Sequence, residues 1–504
     1  MGNSENTGKK YGSLMYTQHG KIYKLANNPG SKVIHTEKSE AVLIKTSSPF
    51  PKTAFTKVSK KAEMPQEPEK STEDKPVPEA TEAAGVPEAA GASETPQVLS
   101  DREVLQHTAS LWKYKPVPKD EPEPYEEYLT ESATLGSFHV TAARVRGKKH
   151  KHEGTNCDDW FETRNIENFA VIAVSDGAGS KKFSRIGAKA SCTGAMEYLE
   201  RELKNLLRKN SELKAHLGYD LKDSRFQQAA SQMAQMAQHA MLAARQNVIN
   251  AFQARQGTPG YAEAVKRDLQ LNDFAATLLL TIALPIENSD ETFIVTCQVG
   301  DGMTAAISRT APYDQIITLL GDADSGAFSG ETEFLTSSSI DSLQSLMGRT
   351  RVSRKKIDII MSMTDGVADD YDPNGKEMLR LYLDLLVNRV ISSPQLEMMQ
   401  KKLDKARYEK LSKIVPAPQS YPAVTGEIEP RMVPVQYVRE LQEKQGLDLK
   451  KIWEEGRESL TVMAGAIQLN TGKNAATRLK EWLDSYVVRG SFDDRTLVIL
   501  QRGE

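Results

Sequence analysis

Four segments of the chain carry carboxylates in places where they could act together. Asp176 and Gly177 close VIAVSDG, Asp301 and Gly302 close CQVGDG, and Asp365 and Gly366 close IIMSMTDG. A fourth, SFDDRT, sets Asp493 and Asp494 in the turn before a last apolar run. Carboxylates at strand ends can converge on one rim of a sheet, and hard divalent cations take such oxygen ligands. Two close cations can clamp a phosphoryl group and lower the pKa of a shared water. A glycine after the Asp lets the backbone approach closely, so that its carbonyl can also serve as a ligand. Asp-Gly alone is a common turn. The ordered set, each member bordering an apolar run, is what points to a two-cation phosphate chemistry.

Other reactive groups lie upstream, in RVRGKKHKHEGTNCDDW. His150 reads either as a general acid or phosphate contact, or as a surface histidine. Arg146, with Arg144 two residues before it on the same strand face, is a candidate phosphate contact or a solvated edge charge. The KKHKH cluster either attracts phosphate or forms a wet turn. Cys157 has no base beside it in sequence, which favours packing over a nucleophile.

Taken in order, RGKKHKHEGTNCDDWF, VSDGAGS, QVGDG, MTDG and SFDDRT resemble the metal-dependent Ser/Thr phosphatases of the type 2C (PPM) family, the bacterial-style branch in particular. The resemblance covers about residues 138 to 501. It implies that Asp176 bridges two cations, manganese or magnesium, with Gly177 giving a carbonyl ligand to one. Asp365 and Asp493 would complete one cation site, and Asp158 would hold the second cation, partly through water. Asp301 stands where the family has an additional acidic residue, which would hold a third cation. Asp159, Asp494 and Thr496 would support this shell. The implied reaction is in-line attack on phosphoserine or phosphothreonine by a metal-bridging hydroxide, with no phosphoenzyme. Many eukaryotic members have His after the first Asp-Gly. Here that position is Ala178, so the resemblance leaves the general acid unidentified.

Three function classes follow. One is an active phosphoprotein phosphatase, working opposite a cognate Ser/Thr kinase. Another is a catalytically weak phosphatase-fold module that regulates or binds phosphoproteins. Hydrolysis of a small phosphorylated metabolite is the third, because fold and cations do not fix the substrate. Degenerate members usually lose a metal-binding aspartate, and Asp176, Asp365 and Asp493 are all present, which favours the enzyme.

Apolar runs are expected to hold these residues. HVTAARV alternates as a half-buried strand, whereas NFAVIAVSD, FAATLLLTIALP and TFIVTCQVGDG read as buried strands. Ser184 to Leu207 and Arg225 to Gln256 have helical spacing, the second with Met233, Met236, Ala240 and Leu242 as a core stripe. The resemblance implies an α+β fold, a four-layer α/β/β/α sandwich of two mostly antiparallel sheets flanked by helices. A helical, charged stretch at about 375–480 is either an elaboration over the mouth of the catalytic domain or a pair of ordinary surface helices.

The catalytic domain is expected over 137–501. Before it, residues 61–130 form a Pro/Glu/Ala-rich spacer too poor in apolar side chains to offset chain entropy, hence disordered. Residues 1–60 are expected to be partly ordered, with KIYKLA and EAVLIK as a hairpin or a docking segment for a partner. The Met-Gly start has Asn6 where myristoylation wants Ser or Thr, so it reads as a solvated end. No apolar run reaches the ~18 residues of a membrane span. Lys+Arg at 65 against Asp+Glu at 68 leave no basic footprint for nucleic acid. Three cysteines without a CxxC pair fit a reducing, cytoplasmic setting.

Overall fold

The computed structural model describes residues 14–18, 21–25, 113–321, 332–371, 374–392, 438–439, 442, 449–454, 474–485 and 492–503. The expectations for residues 61–112, for EAVLIK, and for most of the charged stretch between 393 and 473 lie outside these residues.

Thirteen strands are described: β1 (Leu14–Gln18), β2 (Lys21–Leu25), β3 (Tyr128–Leu135), β4 (Phe138–Val145), β5 (Trp160–Ile166), β6 (Phe169–Ser175), β7 (Leu278–Pro285), β8 (Glu291–Val299), β9 (Met303–Ile307), β10 (Ile317–Leu319), β11 (Thr350–Lys356), β12 (Ile359–Met363) and β13 (Arg495–Arg502). They form two sheets. One runs β2-β1-β11-β8-β7-β6-β5, the other β10-β9-β12-β13-β4-β3. Every described pairing is antiparallel except β1 with β11, where Tyr16 lies opposite Val352. The described part of the N-terminal segment is thus a hairpin laid along the β11 edge, a place where unpaired backbone groups invite such an addition.

Side-chain alternation explains why the central strands read as unbroken apolar runs. Along β6, Ala170, Ile172 and Val174 enter the core between the sheets, with Val140, Leu279, Ile360 and Val498. Phe169, Val171 and Ala173 point the other way, into a second core. There they meet helices α2 (Ser184–Lys209) and α3 (Ser224–Gln253), through Cys192, Met196, Met233 and Met241. The expected stripe on α3 is a core face, with Met233 and Ala240 buried and Met236 and Leu242 packed at its margin. A third core covers the outside of the other sheet, where α4 (Asn374–Val387) and α5 (Ala475–Asp484) bring Leu383, Trp482 and Leu483 onto Met361 and Leu497. The order is helix, sheet, sheet, helix. Fully burying a Leu- or Phe-sized side chain contributes about 1.5–3 kcal/mol, so three such cores dominate the stability of the domain.

The described residues ahead of β4 reach back past the boundary expected at Ser137. β3 starts at Tyr128, and residues 113–127 run before it as a strap across one end of the sandwich. Composition alone made this stretch look like part of the Pro/Glu spacer. What orders it is contact: Tyr125 packs on Trp160 with ring centroids 5.3 Å apart, and its backbone N–H donates to Asn156 Oδ1 at 2.8 Å.

Candidate metal centre

The carboxylates come from chain segments at one end of the sandwich. Asp176 follows β6, Asp365 follows β12, Asp301 lies between β8 and β9, Asp493 precedes β13, and Asp158 and Asp159 precede β5. The acids lie close enough to act on one another's charge, Asp176 with Asp365, Asp159 and Asp493, Asp365 with Asp301, and Asp158 with Asp159. Backbone contacts then fix the segments to one another. The Asp176 N–H donates to Thr277 Oγ1 at 2.9 Å, and the Thr277 N–H returns to the Asp176 carbonyl at 2.8 Å. A Cβ added to Gly177 would sit 2.7 Å from the Asp158 carbonyl oxygen and 2.9 Å from the Ser184 Cβ. One added to Gly366 would sit 1.9 Å from the Asp494 carbonyl oxygen. The glycines after Asp176 and Asp365 are therefore demanded by close approach, not by turn geometry.

Asp159 is the buried support of the cluster. Its Oδ2 accepts from Thr364 Oγ1 at 2.9 Å and Thr496 Oγ1 at 2.7 Å, while its Oδ1 has no hydrogen-bond partner. Thr364 was not singled out in the sequence. Its position just before Asp365, in MTDG, was the available signal. Asp494 is the second support: it accepts from the backbone N–H of Gly147 at 2.6 Å and of Asp158 at 2.5 Å. It also lies 2.8 Å from His150 Nδ1. His150 is buried, and its Nε2 is 3.6 Å from Asp493 Oδ1. One side-chain nitrogen or oxygen from each of His150, Asp158 and Asp494 lies within 4.8 Å of the others.

The electrostatics are those of a site short of positive charge. Burial pushes the Asp176 carboxyl well up, and the charges of Asp365, Asp159 and Asp493 push it the same way. Asp365 is raised by burial and then by Asp301, Asp493 and Asp159. Burial and Asp494 push Asp158 up to about 8, against the opposing charges of His150 and Arg185. Asp159 reaches about 7 for the same two leading reasons, burial and Asp494. Asp494 goes the other way: burial opposes its charge, but His150 and the two backbone donors hold it below the usual carboxylate range. Burial disfavours a charge on His150, yet Asp494, Asp158 and Asp493 overcome this and raise it to about 10. Divalent cations would relieve this repulsion. The acids of the rim offer only hard oxygens, and a buried oxygen on Asp159 and another on Asp301 lack a partner. Both observations fit manganese or magnesium.

Not every candidate faces this cluster. The Arg146 guanidinium is spent elsewhere, on Glu127 Oε1 at 2.9 Å, the Lys115 carbonyl at 2.9 Å and the His150 carbonyl at 2.8 Å. It ties the strap to α1 (Lys148–Glu153), the helix that KKHKH forms in place of a wet turn. Arg144 is buried over the Trp160 ring at 4.7 Å. Asp301 does face the cluster, its charge acting on Asp365, while its Oδ2 accepts from Thr332 Oγ1. Cys157 is buried, and burial pushes its thiol well up, as suits a packing role.

The family whose profile matches this chain is protein phosphatase 2C, over residues 146–406. That match takes in more than half of the 504 residues. The chain belongs to the protein phosphatase 2C family. As a member, it is a metal-dependent phosphatase. Among curated proteins none matches it. Among solved structures, it is similar to a bacterial serine phosphatase at 10% identity, over 75% of this chain and 99% of that one, with a TM-score of 0.29. RsbX in complex with magnesium matches at 11% identity, over 74% and 99%, with a TM-score of 0.27. The Ser/Thr phosphatase Stp1 from Staphylococcus aureus matches at 10% identity, over 77% and 98%, with a TM-score of 0.28. No described helix of this phosphatase is long and apolar enough to cross a membrane.

Proposed function

We propose that this chain hydrolyses phosphoserine and phosphothreonine on proteins. The observation that carries the reading is the upward push on Asp176 by Asp365 and Asp493, and on Asp365 by Asp301 and Asp493, at one rim with buried oxygens of Asp159 and Asp301 unpartnered beside them. Asp176, Asp365 and Asp493 would hold one cation, and Asp176, the Gly177 carbonyl and Asp158 the other. Asp301 would serve a third. When bound, the cations supply charge for the phosphoryl oxygens and make water a nucleophile at neutral pH.

The remaining steps belong to the chain's own groups. Asp159, fixed by Thr364 and Thr496, keeps the β5 entry and the β12 and β13 ends in register around the acids. Asp494 holds His150 Nδ1 and so turns Nε2 toward the rim. A Cβ on Gly179 would stand 4.0 Å from that Nε2, which places the imidazole beside the loop after Asp176. His150 is thereby the group best placed to give a proton to the departing Ser or Thr alkoxide, the role Ala178 cannot fill. Arg146, bound up in the strap, is not the phosphate contact.

The acidic set is intact, which supports an enzyme over a binding module. Three free, buried cysteines support a reducing compartment, hence the cytoplasm. A cognate kinase, and a docking role for the N-terminal residues, belong to the same reading. Purified protein with manganese should turn over p-nitrophenyl phosphate and a phosphothreonine peptide, and chelation should stop both. No turnover with any divalent cation would leave the phosphoprotein-binding alternative.

A further inference from the structure

The 113–127 strap meets the metal end at the loop after Asp176 and the start of α2. Arg185, the second residue of α2, is buried. Its Nε donates to the Glu123 carbonyl at 3.0 Å, and Nη2 donates to the Pro122 carbonyl at 2.5 Å and to Glu121 Oε1 at 3.2 Å. Nη1 turns back to the Lys182 carbonyl at 2.7 Å, in the loop after Asp176. Glu121 is gripped from that loop as well, by Lys182 Nζ at 2.8 Å. The far side of the strap is pinned too. Glu123 holds a left-handed backbone, φ 48°, and its carboxylate accepts from Arg255 Nε and Nη2, at 2.5 and 2.8 Å. The next residue back from Arg185 is Ser184, the one that abuts Gly177.

We propose that Arg185 is a positioning residue for the metal centre. By clamping the strap to the start of α2 it fixes Ser184 against Gly177, and so fixes the carbonyl that Gly177 turns to a cation. The inference rests on the reading of Gly177 as a ligand. Arginine is suited to this because one planar fork reaches four oxygens on two segments, which the single ammonium of lysine cannot span. Outer contacts of this kind are worth roughly 10–100-fold in metal affinity where they orient a ligand.

The test is calorimetric titration of full-length protein with manganese, comparing wild type, Arg185→Lys, Glu121→Gln, the double variant carrying both, and Asp176→Asn, each with its thermal midpoint. Glu121→Gln keeps shape and guards against a lysine variant that fails to fold. Arg185→Lys should bind about tenfold more weakly at temperatures where it is fully folded, and Glu121→Gln should weaken binding by a smaller factor. In the double variant the losses should fall short of additive, because both act through one clamp. Wild-type affinity in both folded single variants, with Asp176→Asn inert, overturns the clamp alone. Wild-type affinity in Asp176→Asn overturns the clamp and the metal assignment together.

Discussion

The Asp494 carboxylate lies 2.8 Å from His150 Nδ1, and both groups are buried at the metal rim. The pair sets the charge of the imidazole and its aim at once. General acids contribute most where the leaving group is a strong base. His150→Gln should therefore lower kcat on a phosphothreonine peptide by about 10²-fold. Turnover of p-nitrophenyl phosphate, whose leaving group needs no proton, should fall by less than tenfold. Equal losses on both substrates would remove His150 from the acid role.

Stability of the metal-free protein should fall as pH rises from 6 to 8. Asp158 and Asp159, raised to about 8 and about 7, bind protons more tightly folded than unfolded, so they cost stability as pH climbs through those values. His150, raised to about 10, adds stability below its ordinary value that fades as pH approaches 10. The depressed Asp494 contributes fully above the usual carboxylate range and is constant over this window. Calorimetry with chelator should show the lower midpoint at pH 8, and manganese should raise the midpoint more at pH 8 than at pH 6. A chelated midpoint that rises over this range contradicts the assignment.

Gly366→Ala should destabilise the domain by about 1–3 kcal/mol, because its Cβ would collide with backbone and not with a movable side chain. Gly177→Ala should act more on manganese affinity, since Asp158 and Ser184 close on it from two sides. Chemical denaturation and metal titration separate the two. Wild-type values in both would mean the loops are looser than the close approaches require.

Arg146→Ala should cost about 2–3 kcal/mol, from the oxygens it leaves unpartnered under the strap. Competitive inhibition by inorganic phosphate should stay unchanged. A weakened phosphate constant in a folded variant would restore Arg146 as a phosphate contact.

Much of this was legible in the residues. Runs such as NFAVIAVS and TLLLTIAL read as strands because both their faces are buried, and the Asp-Gly pairs that follow β6, β8 and β12 mark the rim. β5 was harder: WFETRNI buries Phe161 and Ile166 but carries Glu162, Thr163 and Arg164 between them. The strap was hidden by composition. Residues such as Glu121, Pro122 and Glu123 look like linker until Arg185 and Arg255, some 60 and 130 positions away, are brought against them. The split fates of Arg146 and His150, four residues apart, could not be read from spacing. They follow from which segment, strap or metal rim, packs on each side of α1.

The most direct measurement is phosphothreonine-peptide turnover by wild type and Asp176→Asn across a manganese titration. Wild type should gain activity with manganese, and Asp176→Asn should stay inactive at every concentration while folding as well as or better than wild type without metal, because one of the repelling charges is gone. Undiminished turnover in Asp176→Asn would contradict the account.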